Sequence, residues 1–335
     1  VKLIIQIPCY NEEQALAVTL AELPREIPGI ETVEWLVVDD GSTDRTVAVA
    51  QAFGVTHIVR HPANLGLAKA FTTGLAACLE RGADIIVNTD ADNQYHAGDI
   101  GKLIAPILAG RAEIAIGARP IATIEHFSPV KKLLQRFGSW VVRKFSGLDV
   151  DDAPSGFRAY SRSAALRMNV FNRYTYTLET IIQAGQSGMA VESVPIRVNA
   201  ELRPSRLVKS IPSYVGRSLV TILRIFITYR PLRTFLAVGA VFFAAAVALG
   251  VRYLFYVGAG EGKGHVQSLI LAAILALMGF QSWVLGIVAD IISVNRRLLE
   301  DIQHHIRDQS TGQGSRAVPA RLAALDPQRP AGPAA

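Results

Sequence analysis

The sequence predicts an α/β domain on a mostly parallel sheet, followed by interfacial helices and a two-helix transmembrane hairpin. Two observations predict the domain. Short apolar runs alternate with helical stretches between residues 2 and 119, as in a parallel sheet covered on both faces. Polar clusters stand at the ends of three of those runs, where open α/β sheets bind ligands. A third observation predicts the hairpin. "TFLAVGAVFFAAAVALGV" (234–251) carries no charge in 18 residues, and "VQSLILAAILALMGFQSWVLGIVA" (266–289) carries none in 24. About 20 apolar residues let a helix cross a bilayer.

"KLIIQI" (2–7) is a strand ending at Pro8. A helix begins near Asn11, whose side chain is expected to cap it, and runs through "EEQALAVTLAEL". "VEWLVV" (33–38) is the second strand and delivers Asp39 and Asp40; Ser42 is the expected N-cap of the next helix. "THIVRH" is the third strand and "LGLAKAFTTGLAACLE" the third helix. "DIIV" is a fourth strand and delivers Asp90 and Asp92. "DIGKLIAPILAG" is a helix that Pro106 is expected to bend, and "AEIAIGAR" a fifth strand. The pattern then loosens. "VKKLLQRFGSWVVRKFSG" (130–147) reads as an amphipathic helix and "DDAPSGFRAYSR" as a loop entering a short strand. "TYTLETIIQAGQSG" is a helix and "AVESVPIRV" a strand. The expected layout is a globular domain over 1–206, amphipathic juxtamembrane helices over 207–232, and two transmembrane helices at about 234–257 and 266–291 within 233–292. A tail follows over 293–335, disordered from about 309 because it is rich in Ala, Pro, Gly and Arg.

Half of the 335 residues are hydrophobic, and the mean hydropathy is +0.29. The net charge of +6 gathers around the apolar spans. Lys209, Arg217, Arg224, Arg230 and Arg233 precede the first, and Arg296 and Arg297 follow the second. The loop between them holds Arg252 and Lys263 with Glu261. The positive side is cytoplasmic by the distribution of basic residues, so the large domain and both termini are expected there, in the inner membrane if the chain is bacterial. This charge suits anionic head groups. Nucleic-acid binding is disfavoured, because no aromatic stacking residues interleave with the basic ones. Cys9 and Cys78 form no CxxC pair and are expected as free thiols. No signal peptide precedes the first strand, and since the sequence starts at Val1 an initiator or short leader is expected to be missing from it.

"IPCYNEE", "VVDDGSTDRT", "NLGLAKA", "DADNQY" and "SGFRAYSR" occur in this order. The ordered set resembles family 2 glycosyltransferases of the GT-A fold, a Rossmann-like, mostly parallel α/β domain, over about residues 2–205. With the hairpin, the chain resembles the polyprenyl-phosphate glycosyltransferases, including dolichyl-phosphate mannose synthases. The resemblance implies a nucleotide sugar (UDP- or GDP-linked) as donor and polyprenyl phosphate as acceptor.

Asp90 and Asp92 beside a nucleotide diphosphate would repel it without a cation. Mg²⁺ or Mn²⁺ takes oxygen ligands and bridges carboxylate to phosphate. An extended strand would place both on one side, with Gln94 continuing the spacing as a third ligand. By resemblance, Pro8, Tyr10 and Glu12 open the nucleotide site. Asp40, and next Asp39, hold base and ribose, and Ala91 lines the site between the acids. Lys69 either approaches the diphosphate or is a solvated helix charge. The resemblance also makes Arg119 a phosphate contact. Asp152, beside the "SGFR" loop, accepts from sugar hydroxyls or orients the acceptor. Glu179 contacts the sugar or serves the structure. Arg203, Ser205 and Arg206 match a basic segment for the lipid phosphate; the glycine that family places between arginine and serine is missing here. Asp92, Asp152 and Arg119 are the expected catalytic residues.

Three other readings are weaker. Transfer to a diacylglycerol- or ceramide-type lipid or to a growing glycan stays within the same class, and a processive synthase would carry a "QxxRW"-type motif that is missing here. A silent nucleotide-sugar-binding subunit would not need the intact "DAD", Arg119 and "SGFR". A dehydrogenase needs G-x-G-x-x-G after the first strand, where "PCYNEE" stands. Two membrane helices bury little alone, so a homo-oligomer is also expected.

Overall fold

In the computed structural model of the chain, the described residues are 1–120, 139–140, 142–144, 146–170, 176–200, 227 and 231–310. They fall into two compact units, one built on Val1–Lys209 and the other on Ser210–Ile302.

The first unit is a seven-stranded sheet of β1 (Lys2–Cys9), β2 (Thr32–Asp39), β3 (His57–Arg60), β4 (Ile85–Asn88), β5 (Ile114–Ala118), β6 (Arg158–Ser161) and β7 (Val191–Pro195). The spatial order is β3-β2-β1-β4-β6-β5-β7. The helices are α1 (Glu13–Glu22), α2 (Thr46–Ala52), α3 (Leu67–Glu80), α4 (Ile100–Leu108), α5 (Arg162–Arg167) and α6 (Thr177–Gln186). Leu3, Ile4, Ile5 and Ile7 are all fully buried, so β1 is buried on both faces, as a sheet covered on both sides requires, with the polar Gln6 between them satisfied by Asn88. On α3, Ala68, Phe71, Leu75 and Cys78 recur at helical spacing and are buried. Each such side chain removed from water contributes about 1.5–3 kcal/mol for the larger ones.

Four local features refine or correct the expectations. First, the sheet is mostly parallel as expected, with one strand reversed. β6 runs antiparallel to both β4 and β5. Its first residue, Arg158, pairs with the last residue of β4, Asn88. The loop entering β6 is therefore delivered to the edge where β4 and β5 end. Second, Asn11 does not cap α1. It has a left-handed φ of 54°, and its Oδ1 accepts from Thr43 N at 2.8 Å instead. Third, Ser42 does not cap α2. Its hydroxyl accepts from Asn11 N at 2.9 Å, while Asp44 accepts from Thr46 N at 3.0 Å ahead of the helix. The two loops thus satisfy each other rather than their own helices. Fourth, Asp90 and Asp92 lie past the end of β4, where the chain turns. Strand alternation does not bring them together.

The second unit holds α7 (Pro231–Gly258) and α8 (Val266–Ser310). The spans Pro231–Gly258 and Val266–Asn295 have mean hydropathies of 2.3 and 2.1 and are long enough to cross a membrane. Buried core helices would pass the same length test, but only 11% and 17% of these windows are buried. The two helices touch through small residues. A side chain on Gly279 would come within 2.9 Å of the Gly239 carbonyl. Phe243 stacks on Trp283 at 5.1 Å, and Trp283 Nε1 donates to Leu236 O at 3.2 Å. α8 continues as helix through Ser310, past the expected end of the span near 291. Most of the expected juxtamembrane helices, and the tail beyond 310, lie outside the described residues.

Candidate active site

The sheet order reverses direction between β1 and β4, the kind of place where α/β sheets open a crevice. Pairing of β1 with β4 ends at Gln6 and Asn88, while pairing with β2 continues to Cys9 and Asp39. Pro8 sits in this parted stretch, where its missing N–H does not interrupt the β1–β4 ladder. All three polar clusters stand at this edge.

Past β4 the backbone turns at Asn93, which takes a left-handed φ of 57°; Asn tolerates that conformation through its short polar side chain. Asp92 Oδ1 accepts from Gln94 N at 3.2 Å and closes the turn. Two flanks hold it in place. Thr19 on α1 donates to Ala91 O at 2.9 Å. Asn199 donates from its side chain to Asn93 O at 3.1 Å and from its backbone to Gln94 O at 2.9 Å. The Ala91 side chain belongs to the core, which leaves only its backbone to face a ligand. Burial pushes the Asp90 carboxyl up to about 7; the charge of Asp92 adds to this and Arg119 opposes it. Two carboxylates here therefore favour a proton or a cation between them. Among the described residues no group of three or more His, Cys, Asp and Glu side chains forms a metal cage. Two carboxylates with an amide oxygen nearby suit a hard cation that draws its remaining oxygens from phosphate. Gln94 Oε1 stands 3.4 Å from Arg119 Nη1, so a metal and the guanidinium compete for it.

Arg119 follows β5. Its Nε and Nη2 donate to Asp152 at 2.6 and 3.0 Å, with side chains 7% and 0% exposed. Asp152 is thus directed at Arg119 rather than toward an open sugar pocket. Tyr95 links the parts of the site. Its ring lies 6.0 Å from the Arg119 guanidinium carbon and stacks on Phe157 at 5.1 Å. Its hydroxyl accepts from Gly156 N at 2.9 Å and favours the charged form of Asp90. Gly156 passes so close that a Cβ there would lie 2.8 Å from Asp90 Oδ2. Arg158 is fully buried and among the described residues forms no salt bridge with a carboxylate; it donates to the carbonyls of Ala153, Ser155 and Thr177 and to the Thr180 hydroxyl. It ties the "SGFR" loop to α6.

The other expected residues take distinct places. Asp40 Oδ1 accepts from Leu65 N at 2.9 Å and Oδ2 from Gly66 N at 2.8 Å, so its carboxylate is largely engaged inside the fold. Asp39 Oδ1 accepts from Ser42 N at 3.0 Å. Its Oδ2 lies 3.0 Å from Arg60 Nε as an ion pair, yet among the described residues it receives no aligned hydrogen bond. Both acids are buried, and Asp39 has the carboxylate oxygen with fewer protein hydrogen bonds. Tyr10 is 42% exposed at the crevice edge. Glu12 N donates to Thr46 Oγ1 at 2.8 Å. Lys69 is exposed and lines a cavity on the flank of α3 with Thr72, Thr73 and Asn169. Glu179 is buried in the first turn of α6. Arg203, Ser205 and Arg206 lie outside the described residues.

Several residues of this edge went unnoticed in the sequence: Arg60, His61, Asn88, Tyr95, Gly156 and Tyr176. Asn88 donates to Gly156 O at 2.9 Å and to the Tyr176 hydroxyl at 2.8 Å, directly behind Asp90. The available signal was position. Arg60, His61 and Asn88 are polar residues at strand ends on the ligand-bearing edge.

Comparison with known proteins gives the family and the fold. The family model described as glycosyl transferase family 2 matches residues 4–174. The chain is 28% identical over 204 residues to polyprenol monophosphomannose synthase of Mycolicibacterium smegmatis, covering 58% of this chain and 76% of that one. It is 29% identical over 229 residues to undecaprenyl-phosphate mannosyltransferase of Micrococcus luteus, covering 65% and 91%. Among solved structures, glucosyl-3-phosphoglycerate synthase of Mycobacterium tuberculosis, in complex with Mn²⁺, UDP and phosphoglyceric acid, superposes with a TM-score of 0.54. That match has 19% identity and covers 68% of this chain and 78% of that one, which shows the shared fold. With more than half of its length matched, this chain belongs to glycosyl transferase family 2, on a GT-A fold.

Proposed function

We propose that the chain is a membrane-bound inverting glycosyltransferase that moves a sugar from a UDP- or GDP-linked donor to polyprenyl phosphate. The observation that carries the reading is the meeting, at one sheet edge, of the neighbouring carboxylates Asp90 and Asp92 with a buried arginine held by Asp152. The names of the relatives support the acceptor, and the two long apolar helices support a membrane site. Basic residues flanking the spans favour a cytoplasmic catalytic unit.

The acceptor decides what the residues must do. A phosphate monoester has a second pKa near ~6, so it arrives mostly as a dianion. One of its oxygens attacks the anomeric carbon. The new C–O bond forms as the bond to the donor's β-phosphate oxygen breaks, and the nucleoside diphosphate leaves with that electron pair. No proton is removed from the acceptor, so no general base is needed. Attack from the opposite face inverts the centre, and an α-linked donor gives a β-linked lipid phosphate sugar. Asp90 and Asp92, with Gln94 as third ligand, would hold Mg²⁺ or Mn²⁺, which when bound neutralises charge on the departing diphosphate. Arg119, whose Nε and Nη2 are held by Asp152, contacts phosphate through the remaining Nη1 with its guanidinium already oriented, so little reorganisation is needed at the moment of reaction. Asp39 accepts from the nucleoside, while Asp40 shapes the pocket wall. Arg203, Ser205 and Arg206 meet the lipid phosphate.

The test is a transfer assay on the full chain in membranes, with Mn²⁺, a short polyprenyl phosphate and a panel of UDP- and GDP-sugars. A lipid product heavier by one sugar, lost in Asp92→Ala, is the expected result. No product across the panel would overturn the reading.

A further inference from the structure

We propose that His61 and Thr73 are positioning residues for the nucleotide, acting through Asp40 on the loop 62–66; this rests on the function proposed above. The chain of contacts is continuous. His61 follows β3, and its Nδ1 lies 2.7 Å from Asp40 Oδ1. A carboxylate can only accept, so the proton sits on Nδ1. In the neutral ring Nε2 then accepts from the Thr73 hydroxyl on α3, at 3.0 Å. Asp40 in turn holds Leu65 N and Gly66 N, the two amides just ahead of α3. The end of β2, the end of β3, the second turn of α3 and the loop before it are thereby closed into one ring.

The loop has little room to move. Gly41 has a φ of 75°, and a Cβ on it would lie 2.6 Å from Ala63 C and 2.9 Å from Asn64 N. Residues 62–66 therefore rest directly on the turn that follows Asp39. The outer side of the loop is open; Leu65 is 44% exposed. This wall stands beside Asp39, whose Oδ2 receives no aligned hydrogen bond among the described residues. Asp40 fixes the wall, His61 fixes the carboxylate, and Thr73 fixes the ring. Asp40 thus acts on the nucleotide through the loop rather than by touching it.

Thr73→Val removes one hydroxyl and keeps the shape. Full-length chain in nanodiscs is compared as wild type, Thr73→Val and Thr73→Ser. Hydrogen exchange at Leu65 and Gly66 is expected to quicken about fivefold in Thr73→Val, the factor one lost hydrogen bond is worth. Affinity for UDP and GDP with Mn²⁺, read by calorimetry, falls by a similar factor of about five for whichever nucleotide the wild type binds. The KM for polyprenyl phosphate holds, and Thr73→Ser restores both readouts. Unchanged exchange and unchanged nucleotide affinity would overturn the proposal. So would a loss spread equally over both substrates and over exchange in the 90–95 turn, which marks general destabilisation. A wild type that binds neither nucleotide and transfers no sugar would overturn the functional reading itself, whatever the exchange at Leu65 and Gly66 does.

Discussion

Arg119 and Asp152 form a two-pronged buried ion pair, closed by a third contact from Arg119 N to Asp152 Oδ2 at 3.3 Å. The residues stand on opposite sides of a long connection, one after β5 and the other shortly before β6. The antiparallel insertion of β6 is what brings them together. The pair converts a flexible cation into a fixed fork.

Breaking one side of such a pair leaves an uncompensated buried charge, which costs about 3–5 kcal/mol. Asp152→Ala is expected to lower stability by about that amount and transfer by about 100-fold. The double variant Arg119→Met with Asp152→Leu should regain much of the stability while transfer stays lost. Thermal unfolding and kcat/KM, measured on the same preparations, separate the two effects.

Gly156→Ala places a methyl 2.8 Å from Asp90 Oδ2 and 3.1 Å from the Tyr176 hydroxyl. The carboxylate must shift, and Tyr176 is stacked on Phe71 at 3.8 Å and cannot give easily. Mn²⁺ affinity is expected to fall about tenfold, the lower end of what disturbing a ligand's support costs. Electron paramagnetic resonance titration with Mn²⁺ reads this directly, without any substrate.

Two carboxylates predict opposite pH behaviour. Burial and Asp92 raise the folded pKa of Asp90 to about 7, above its unfolded value. Its contribution is therefore fully present below about 4 and is lost as pH rises toward 7. Without divalent cation, Asp90→Asn should stabilise the protein at pH 8 and change it little at pH 4. Asp99 behaves in the reverse sense. Burial works against its charge, but hydrogen bonds from Arg197 and Lys102 win and hold its pKa well below the ordinary value. Its contribution is present above the usual carboxylate range and is lost progressively as pH falls below that range toward the depressed folded pKa. Asp99→Asn should therefore flatten the acid side of the stability curve. Unfolding midpoints, followed across about pH 4–8 for Asp90→Asn and from about pH 5 down to about pH 1.5 for Asp99→Asn, check the two signs.

What the sequence made legible was edge position. Apolar runs such as "DIIV" are followed by acids, and a buried strand can end in charge only where it meets a ligand or water. Asp39, Asp90 and Asp92 were placed at this edge in that way, whereas the role expected of Arg119 came from the family resemblance. Local turn chemistry was less legible. Asn93 in a left-handed conformation, not strand alternation, turns the chain between Asp92 and Gln94, and Asn11 serves Thr43 across a loop rather than its own helix. The ranking of Asp40 ahead of Asp39 rested on resemblance, and no local pattern announced the partners of Asp40, which lie on a loop 25 and 26 residues away. The Arg119–Asp152 pair has no periodic signature at a separation of 33 residues. It depends on where β6 inserts, and a strand as short as "RAYS" does not announce its direction.

The central claim is that the acceptor is a lipid phosphate attacked without a base. The most direct measurement is an acceptor competition. Vesicles carrying polyprenyl phosphate, the matching polyprenol, diacylglycerol and ceramide together are supplied with the accepted nucleotide sugar and Mn²⁺, and every lipid is weighed by mass spectrometry. Sugar on the polyprenyl phosphate alone, with a rate that falls as pH drops below the phosphate's second pKa near ~6, is the predicted result. Sugar on a hydroxyl lipid, with the phosphate untouched, would contradict it.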